Sequence, residues 1–126
     1  MLEGHPIPIY GDGSTARDYT YVSDTVEGIL AAIAFDQVPY EVLNLGNSRT
    51  TKLCDLGSCL EEVLGTKAQL DHIEEQSGDV PLTYADISKA RRMLGYAPAT
   101  QLETGIQQFS LWLRSQLAAS QENEAS

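Results

Sequence analysis

The stretch IYGDGSTARDYTYVSDTVEGI, from Ile9 to Ile29, carries the strongest indications of fold and function in this chain. It joins a short apolar strand, a glycine turn, an isolated arginine and the start of a helix. The whole chain has eight Lys and Arg residues against 18 Asp and Glu, a formal net charge of −10. An arginine set among small polar residues in such an acidic chain is expected to meet an anion.

Two kinds of anion fit Arg17. One is an internal carboxylate, with Asp18 and Asp24 as the nearest in sequence. The other is a phosphate of a bound ligand, because a planar guanidinium matches phosphate oxygens at two points. The local sequence does not choose between them.

The composition limits the classes of protein to which the chain can belong. Its 126 residues suit one domain, and 42% hydrophobic residues are enough for a core. The basic residues are scattered, which argues against a nucleic-acid-binding or anionic-membrane-binding surface. No apolar run reaches the length of a membrane span, and the first residues do not form a signal peptide. We therefore expect no nucleic-acid partner and no membrane partner.

The cysteines and histidines predict no special chemistry. Cys54 and Cys59 are five residues apart in an expected helix, so they do not share one face. We interpret them as packing residues, which agrees with a reducing, cytoplasmic location. His5 and His72 have no neighbour at metal-ligand spacing, and we expect no metal site.

The expected strands are short. Residues 6–10 predict an edge strand because two of them are proline, and Gly11–Gly13 predict a turn. Aromatic and β-branched residues predict extended structure over 18–22. Alternating residues at 40–46 (YEVLNLG) and the segment 68–73 predict two further strands.

Four helices are expected between and after these strands. Asp24–Glu27 and Thr100–Glu103 both have the form of a capping box. An apolar stripe predicts a helix over 53–64 that ends at Gly65, and Asp86 is expected to cap a helix that ends at Gly95. We predict a mixed α/β domain over residues 1–118 and a disordered acidic tail over 119–126.

Familiar catalytic motifs are missing from the sequence. Gly11 and Gly13 form a lone GxG with no third glycine, so a turn is favoured over a phosphate-binding loop. No serine lies in a GxSxG elbow. From the residues alone the chain predicts a soluble α/β domain without a complete catalytic set, and we assign no catalytic residue.

Three blocks of the sequence nevertheless resemble one family, in order and along nearly the whole chain. They are PIPIYGDGSTARDYTYVSDTVEGI, YEVLNLGN and SGDVPLTYADISKARRMLGYAPATQLETGIQQFSLWLR. They resemble the C-terminal part of extended short-chain dehydrogenases/reductases, and within these the NAD-dependent sugar-nucleotide epimerases of the UDP-glucuronate 4-epimerase type. The fold implied is the substrate-binding region of such an enzyme without its N-terminal Rossmann half.

The resemblance implies a UDP site. Arg17 matches the arginine that contacts the diphosphate, and Asp79 matches the position that hydrogen-bonds the ribose. The strand with Ile9 and Tyr10 matches the segment along the uracil. Gln76 stands where galactose-type epimerases have an arginine and glucuronate-type relatives have glutamine. Alternative roles are an ion pair for Arg17, edge-strand packing for Ile9 and Tyr10, and a turn for Asp79.

The resemblance also implies what this stretch does not contain. In the family, NAD is held by a Rossmann domain and the chemistry uses a Tyr-x-x-x-Lys pair. None of the six tyrosines here has lysine four residues later. We therefore expect no cofactor bound by this chain, although the full-length family uses NAD.

Two classes of function remain open from the sequence. The first is a UDP-sugar-binding fragment that is inactive alone and binds UDP weakly. The second is a non-enzymatic oligomerisation or interaction module that kept the fold without the ligand. The expected protein partner is a second copy of the chain or a separate Rossmann half, which would complete an enzyme.

Overall fold

The computed structural model describes residues 1–2 and 4–124, and the side chains of this range up to residue 120. These residues form four short strands and four helices, with two strands first and two helices last. The strands are β1 (Ile7–Tyr10), β2 (Ala16–Arg17), β3 (Thr51–Lys52) and β4 (Leu70–Ile73). The helices are α1 (Val22–Ile33), α2 (Leu53–Leu64), α3 (Ser88–Leu94) and α4 (Leu102–Glu124). This mixed α/β architecture confirms the predicted fold class.

The strands form two separate pairs. β1 and β4 are parallel, with Ile7 beside Leu70 and Tyr10 beside Ile73. β2 and β3 are antiparallel, with Arg17 beside Thr51. The edge strand at residues 6–10 and the strand within 68–73 are confirmed, while the extended stretch predicted over 18–22 continues as α1 from Val22.

The strand predicted at residues 40–46 is wrong. No strand is assigned there, and none of the described strands pairs with it. A side chain of α3 binds its backbone instead: Lys89 Nζ donates to the Val42 carbonyl at 3.1 Å. An alternating pattern needs a neighbouring strand for its hydrogen-bond ladder, and the described chain supplies none at this position.

Both predicted capping boxes are also wrong, and for one shared reason. Helix α1 begins at Val22 with Tyr21 at the N-cap, so Asp24 lies inside its first turn. The Asp24 carboxylate accepts the Thr100 N–H at 3.1 Å and the Thr100 hydroxyl at 2.9 Å. The two expected caps thus bind each other and join the start of α1 to the start of α4.

The C-terminal ends of α2 and α3 follow the sequence, whereas Ile87 and not the expected Asp86 is the N-cap of α3. Gly65 and Gly95 end α2 and α3 in the left-handed conformation, at φ 66° and 68°. Asp86 accepts the Ser88 N–H at 2.9 Å where α3 begins. Helix α4 extends to Glu124, beyond the boundary predicted at residue 118, because residues 118–124 include good helix formers. The disorder predicted for 119–126 stays a prediction, and residues 125–126 lie outside the described chain.

The core is small and lies around α3. Ile87, Ala90 and Tyr96 are buried there, and Leu43, Leu45, Ala85 and Leu94 pack against them. Helix α1 packs on α3, and α2 packs on α4. No helix of the described residues is long and apolar enough to cross a membrane.

Helix α1 presents an unusual face to this core. Within the described chain its buried residues are Asp24 and Gly28. A Cβ at Gly28 would lie 2.8 Å from the Leu45 side chain and 3.0 Å from the Tyr96 ring, so glycine permits the close approach. The large apolar residues of α1 are instead exposed: Val22, Val26, Ile29, Leu30 and Ile33.

Candidate functional site

Arg17 and Asp79 are brought into direct contact by the fold. The Arg17 Nη2 donates to Asp79 Oδ1 at 2.6 Å, across 62 residues of sequence. Arg17 Nη1 donates to the carbonyl of Ala16 at 2.9 Å. The guanidinium side chain is 25% exposed and the carboxylate side chain 45% exposed, so both can be reached from solvent. The pair joins the residues predicted to contact a diphosphate and a ribose.

Arg17 has an internal carboxylate partner, but it is neither of the two expected from the sequence. The internal partners expected for Arg17 were Asp18 and Asp24, and the structure gives each of these a different role. Asp18 accepts backbone N–H groups, and Asp24 accepts Thr100. The ion pair of Arg17 is instead with Asp79.

The position of Arg17 is fixed by backbone contacts on both sides of β2. β3 pairs with one side through Thr51. On the other side the Ala16 N–H donates to the Pro81 carbonyl at 2.9 Å, and the Thr83 N–H donates to the Ala16 carbonyl at 3.1 Å. The chain that follows Asp79 therefore runs beside β2, which explains how a residue so distant in sequence reaches Arg17.

Gln76 and Asp79 belong to one turn. The Asp79 N–H donates to the Gln76 carbonyl at 3.1 Å, and Gly78 adopts φ 90°. The turn role considered for Asp79 is therefore present together with its ion pair. Gln76 is exposed, and the structure does not place its side chain on Arg17.

Ile9 and Tyr10 reach the same region through β1. Tyr10 is paired with Ile73, and the Gly11 N–H donates to the Ile73 carbonyl at 2.9 Å, just before the turn that holds Gln76. Tyr10 is 44% exposed. The Ile9 side chain lines a small cavity with Leu53 and Cys54 of α2.

The glycine turn at residues 11–13 is confirmed as a turn. Gly11 and Gly13 have φ 70° and 78°, and Asp12 Oδ1 accepts the Ser14 N–H at 2.8 Å. Hydrogen bonds from Ser14 hold the pKa of the Asp12 carboxyl below its ordinary value. The turn leads into β2 and not into a helix.

The start of α2 likewise offers no cradle for a dinucleotide. Its Leu53 and Cys54 N–H groups donate to the carbonyls of Thr15 and Gly13, at 2.9 and 3.1 Å. These N–H groups are the ones that a phosphate at a helix start would need. The glycine turn and α2 of the described chain therefore do not fit the diphosphate of NAD. No group of three or more metal-ligating side chains is found among the described residues.

Asp18 is a residue whose role the sequence did not reveal. Its carboxylate accepts the N–H groups of Asn47, Ser48 and Ala85, at 2.9, 3.0 and 3.0 Å. Three backbone donors on one carboxylate bind two distant loops to the residue beside Arg17. Ser48 has φ 57°, a left-handed conformation that these contacts help to hold.

Gly46 and Tyr96 stabilise the loop that contains Asn47 and Ser48. A Cβ at Gly46 would lie 2.4 Å from the Ala85 Cβ, which only glycine avoids. The Tyr96 hydroxyl donates to the Gly46 carbonyl at 3.0 Å. Burial raises the pKa of Tyr96, and the carboxylates of Asp24, Asp18 and Glu27 add to that rise. Because these partners come from separate segments, no local motif could have indicated them.

Comparison with known proteins places this arrangement in a family. The family model described as GDP-mannose 4,6 dehydratase matches residues 1–109. A relative from Thermodesulfobacterium geofontis, a UDP-glucuronate 4-epimerase, is 34% identical over 93% of this chain and 36% of its own. An uncharacterised protein of Methanocaldococcus jannaschii is 44% identical over 89% of this chain and 34% of its own.

A solved structure agrees with these relatives. UDP-glucuronic acid 4-epimerase from Bacillus cereus, in complex with UDP-glucuronic acid and NAD, matches with a TM-score of 0.76 and 34% identity. The match covers 84% of this chain and 34% of that one. The chain thus spans about a third of the length of the curated relatives it matches.

Proposed function

This chain belongs to the extended short-chain dehydrogenase/reductase family that includes the nucleotide-sugar epimerases, and we propose that it supplies the UDP-sugar-binding part of an epimerase of the UDP-glucuronate 4-epimerase type. We further propose that residues 1–118 form this binding domain. The observation that carries the proposal is the contact between Arg17 and Asp79, the two residues that the family resemblance assigns to one UDP molecule.

The proposed site has one face for each part of UDP. Arg17 binds the diphosphate, Asp79 and the turn from Gln76 bind the ribose, and the β1 main chain with Tyr10 lies along the uracil. One charge-assisted contact contributes about 1.5–3 kcal/mol, whereas micromolar affinity requires about 8 kcal/mol. We therefore expect weak binding, on the order of millimolar, by these residues alone.

A titration of the 126-residue chain with UDP, followed by ¹H–¹⁵N NMR, tests this proposal. The expected shifts cluster at residues 9–10, 16–17 and 76–79. Arg17→Ala removes them, while the matched control Arg49→Ala leaves them, because Arg49 contacts Gln101 and lies outside the proposed site. Equal UDP binding by parent and Arg17→Ala, or shifts confined to other segments, would refute the proposal and favour a module without the ligand.

The same chain is proposed to be inactive alone and to bind no NAD. Hydride transfer requires a cofactor that the protein holds in a fixed geometry, and the glycine turn and α2 described above do not provide it. Turnover of UDP-glucuronate by the purified chain with added NAD would contradict this part of the proposal.

We also propose that the chain self-associates when it is studied by itself. The exposed apolar residues of α1 named above, and also Tyr40 and Val42, leave apolar surface that the described residues do not cover. A second copy or a Rossmann half supplied by another chain could bury this surface, and removing apolar area from water is favourable.

A further inference from the structure

We infer that Asp79 competes with the diphosphate of a nucleotide ligand for Arg17, so that binding is an exchange of carboxylate for phosphate. This inference rests on the proposed function and concerns the regulation of the same site. The observation behind it is that the two side chains assigned to one ligand bind each other at 2.6 Å.

The structure shows which acceptors a phosphate meets on Arg17. Nη1 donates to the Ala16 carbonyl and Nη2 donates to Asp79, so one N–H of each terminal nitrogen is in use. The Ala16 carbonyl is part of the backbone and also accepts the Thr83 N–H at 3.1 Å. A phosphate that makes a two-point contact with the terminal nitrogens meets both acceptors, and of these only the Asp79 side chain can turn away.

The Asp79 side chain has room to turn away from Arg17. It ends a turn after Gly78, which has φ 90°, and its side chain is 45% exposed. A phosphate on Arg17 would also bring a second anion close to this carboxylate, and like charges at such distances repel. Once released, the carboxylate is free to accept hydrogen bonds from ribose hydroxyls, the role that the family resemblance gives it.

The surrounding charges sharpen the competition. The segment 74–79 contains Glu74, Glu75 and Asp79 and no lysine or arginine. Arg17 must therefore attract a phosphate from an acidic neighbourhood while one carboxylate already neutralises it. Removal of the Asp79 charge should strengthen the binding of a simple anion and remove the contact to a ribose at the same time.

Two ligands separate these opposite effects. Inorganic pyrophosphate has the diphosphate without the nucleoside, and UDP has both. We expect Asp79→Asn to increase the affinity for pyrophosphate about two- to fivefold, the range for an exposed ion pair converted to a binding ratio. The affinity for UDP should rise less than this or fall. The matched control is Asp71→Asn, the same charge change at an exposed residue of β4, and it should leave both affinities as they were.

The titrations use the full 126-residue chain, with a dispersed NMR spectrum as the check on folding and Asp79→Ala as a second variant. If UDP binds the parent through Arg17 but pyrophosphate binds Asp79→Asn and Asp79→Ala no better than the parent, the exchange is wrong and the proposed function stands. If neither UDP nor pyrophosphate binds the parent or any variant, the exchange and the proposed function are both wrong. Tighter pyrophosphate binding by the Asp79 variants, and not by Asp71→Asn, supports the exchange even where parent binding is too weak to measure.

Discussion

Asp24 in α1 and Thr100 before α4 are joined by two hydrogen bonds to one carboxylate, at 3.1 and 2.9 Å. Asp24 is 5% exposed, so little water reaches its carboxylate. Asp24→Ala leaves the Thr100 N–H without its acceptor, and we expect it to lower the free energy of unfolding by about 2–4 kcal/mol. Urea denaturation measures this loss.

The matched control for this pair is Thr100→Val, which removes the hydroxyl and keeps the backbone N–H. It should cost about 1 kcal/mol, since one of the two hydrogen bonds remains. Equal stability of the parent and Asp24→Ala would show that α1 and α4 are held together by other contacts.

Asp18 should matter more for stability than its position on a loop suggests. Its carboxylate holds three backbone N–H groups from two distant segments. Asp18→Ala should destabilise the chain by about 3 kcal/mol or more, because hydrogen bonds to a charged acceptor each contribute about 1.5–3 kcal/mol. Asp12→Ala is the comparison: the exposed Asp12 accepts one such N–H from Ser14 in contact with solvent, so its loss should destabilise the chain much less. Similar losses in the two variants would disprove the special role of Asp18.

Tyr96 should make stability depend on pH in the alkaline range. Burial raises its pKa, so the folded chain holds the phenol proton more tightly than the unfolded chain. The resulting stability is fully present below the ordinary tyrosine pKa of about 10 and is lost as the pH rises through the folded-state pKa. Urea midpoints measured from pH 8 to pH 11 should fall for the parent.

Tyr96→Phe separates this titration from the hydrogen bond. The variant should lose about 1–2 kcal/mol at neutral pH, because the Gly46 carbonyl loses its donor. Its midpoints should then decline less steeply with pH than those of the parent. A parallel decline in both proteins would assign the pH dependence to other groups.

The exposed apolar side of α1 should drive self-association. Ile29 is 47% exposed and Ile33 76% exposed, although both have side chains that cores usually bury. Sedimentation at about tens of micromolar should show a mass above that of the monomer, and Ile29→Asp should lower it by placing charge in the contact. Leu117→Asp makes the same change on exposed α4 and should not alter the mass. A monomeric parent that Ile29→Asp does not affect would contradict the prediction.

Much of the fold follows from local patterns in the sequence. The proline-rich edge strand, the glycine turn, α2 with Gly65 and α3 with Gly95 all depend on nearby residues, and the structure has each of them. The strand at 40–46 failed because a strand requires a partner, which no local pattern supplies. The predicted capping boxes are wrong because Asp24 and Thr100, 76 residues apart in sequence, bind each other.

The candidate site, like the fold, was predictable from the sequence only in part. The family resemblance named Arg17 and Asp79, but the sequence did not indicate that these two side chains bind each other. The roles of Asp18, Gly46 and Tyr96 arise where separate loops meet, so they depend on long-range packing and hydrogen bonds. The binding roles of the site residues stay predictions: Arg17, Ile9, Tyr10, Gln76 and Asp79.

The central claim is that Arg17 and Asp79 bind one UDP molecule. A crystal structure of the chain, from crystals soaked in UDP at millimolar concentration, tests it most directly. The account predicts the diphosphate on the Arg17 guanidinium, the Asp79 carboxylate turned from Arg17 to the ribose, and the uracil beside residues 9–10. Nucleotide bound at another surface, with the Arg17–Asp79 ion pair still closed at its present 2.6 Å, would contradict it.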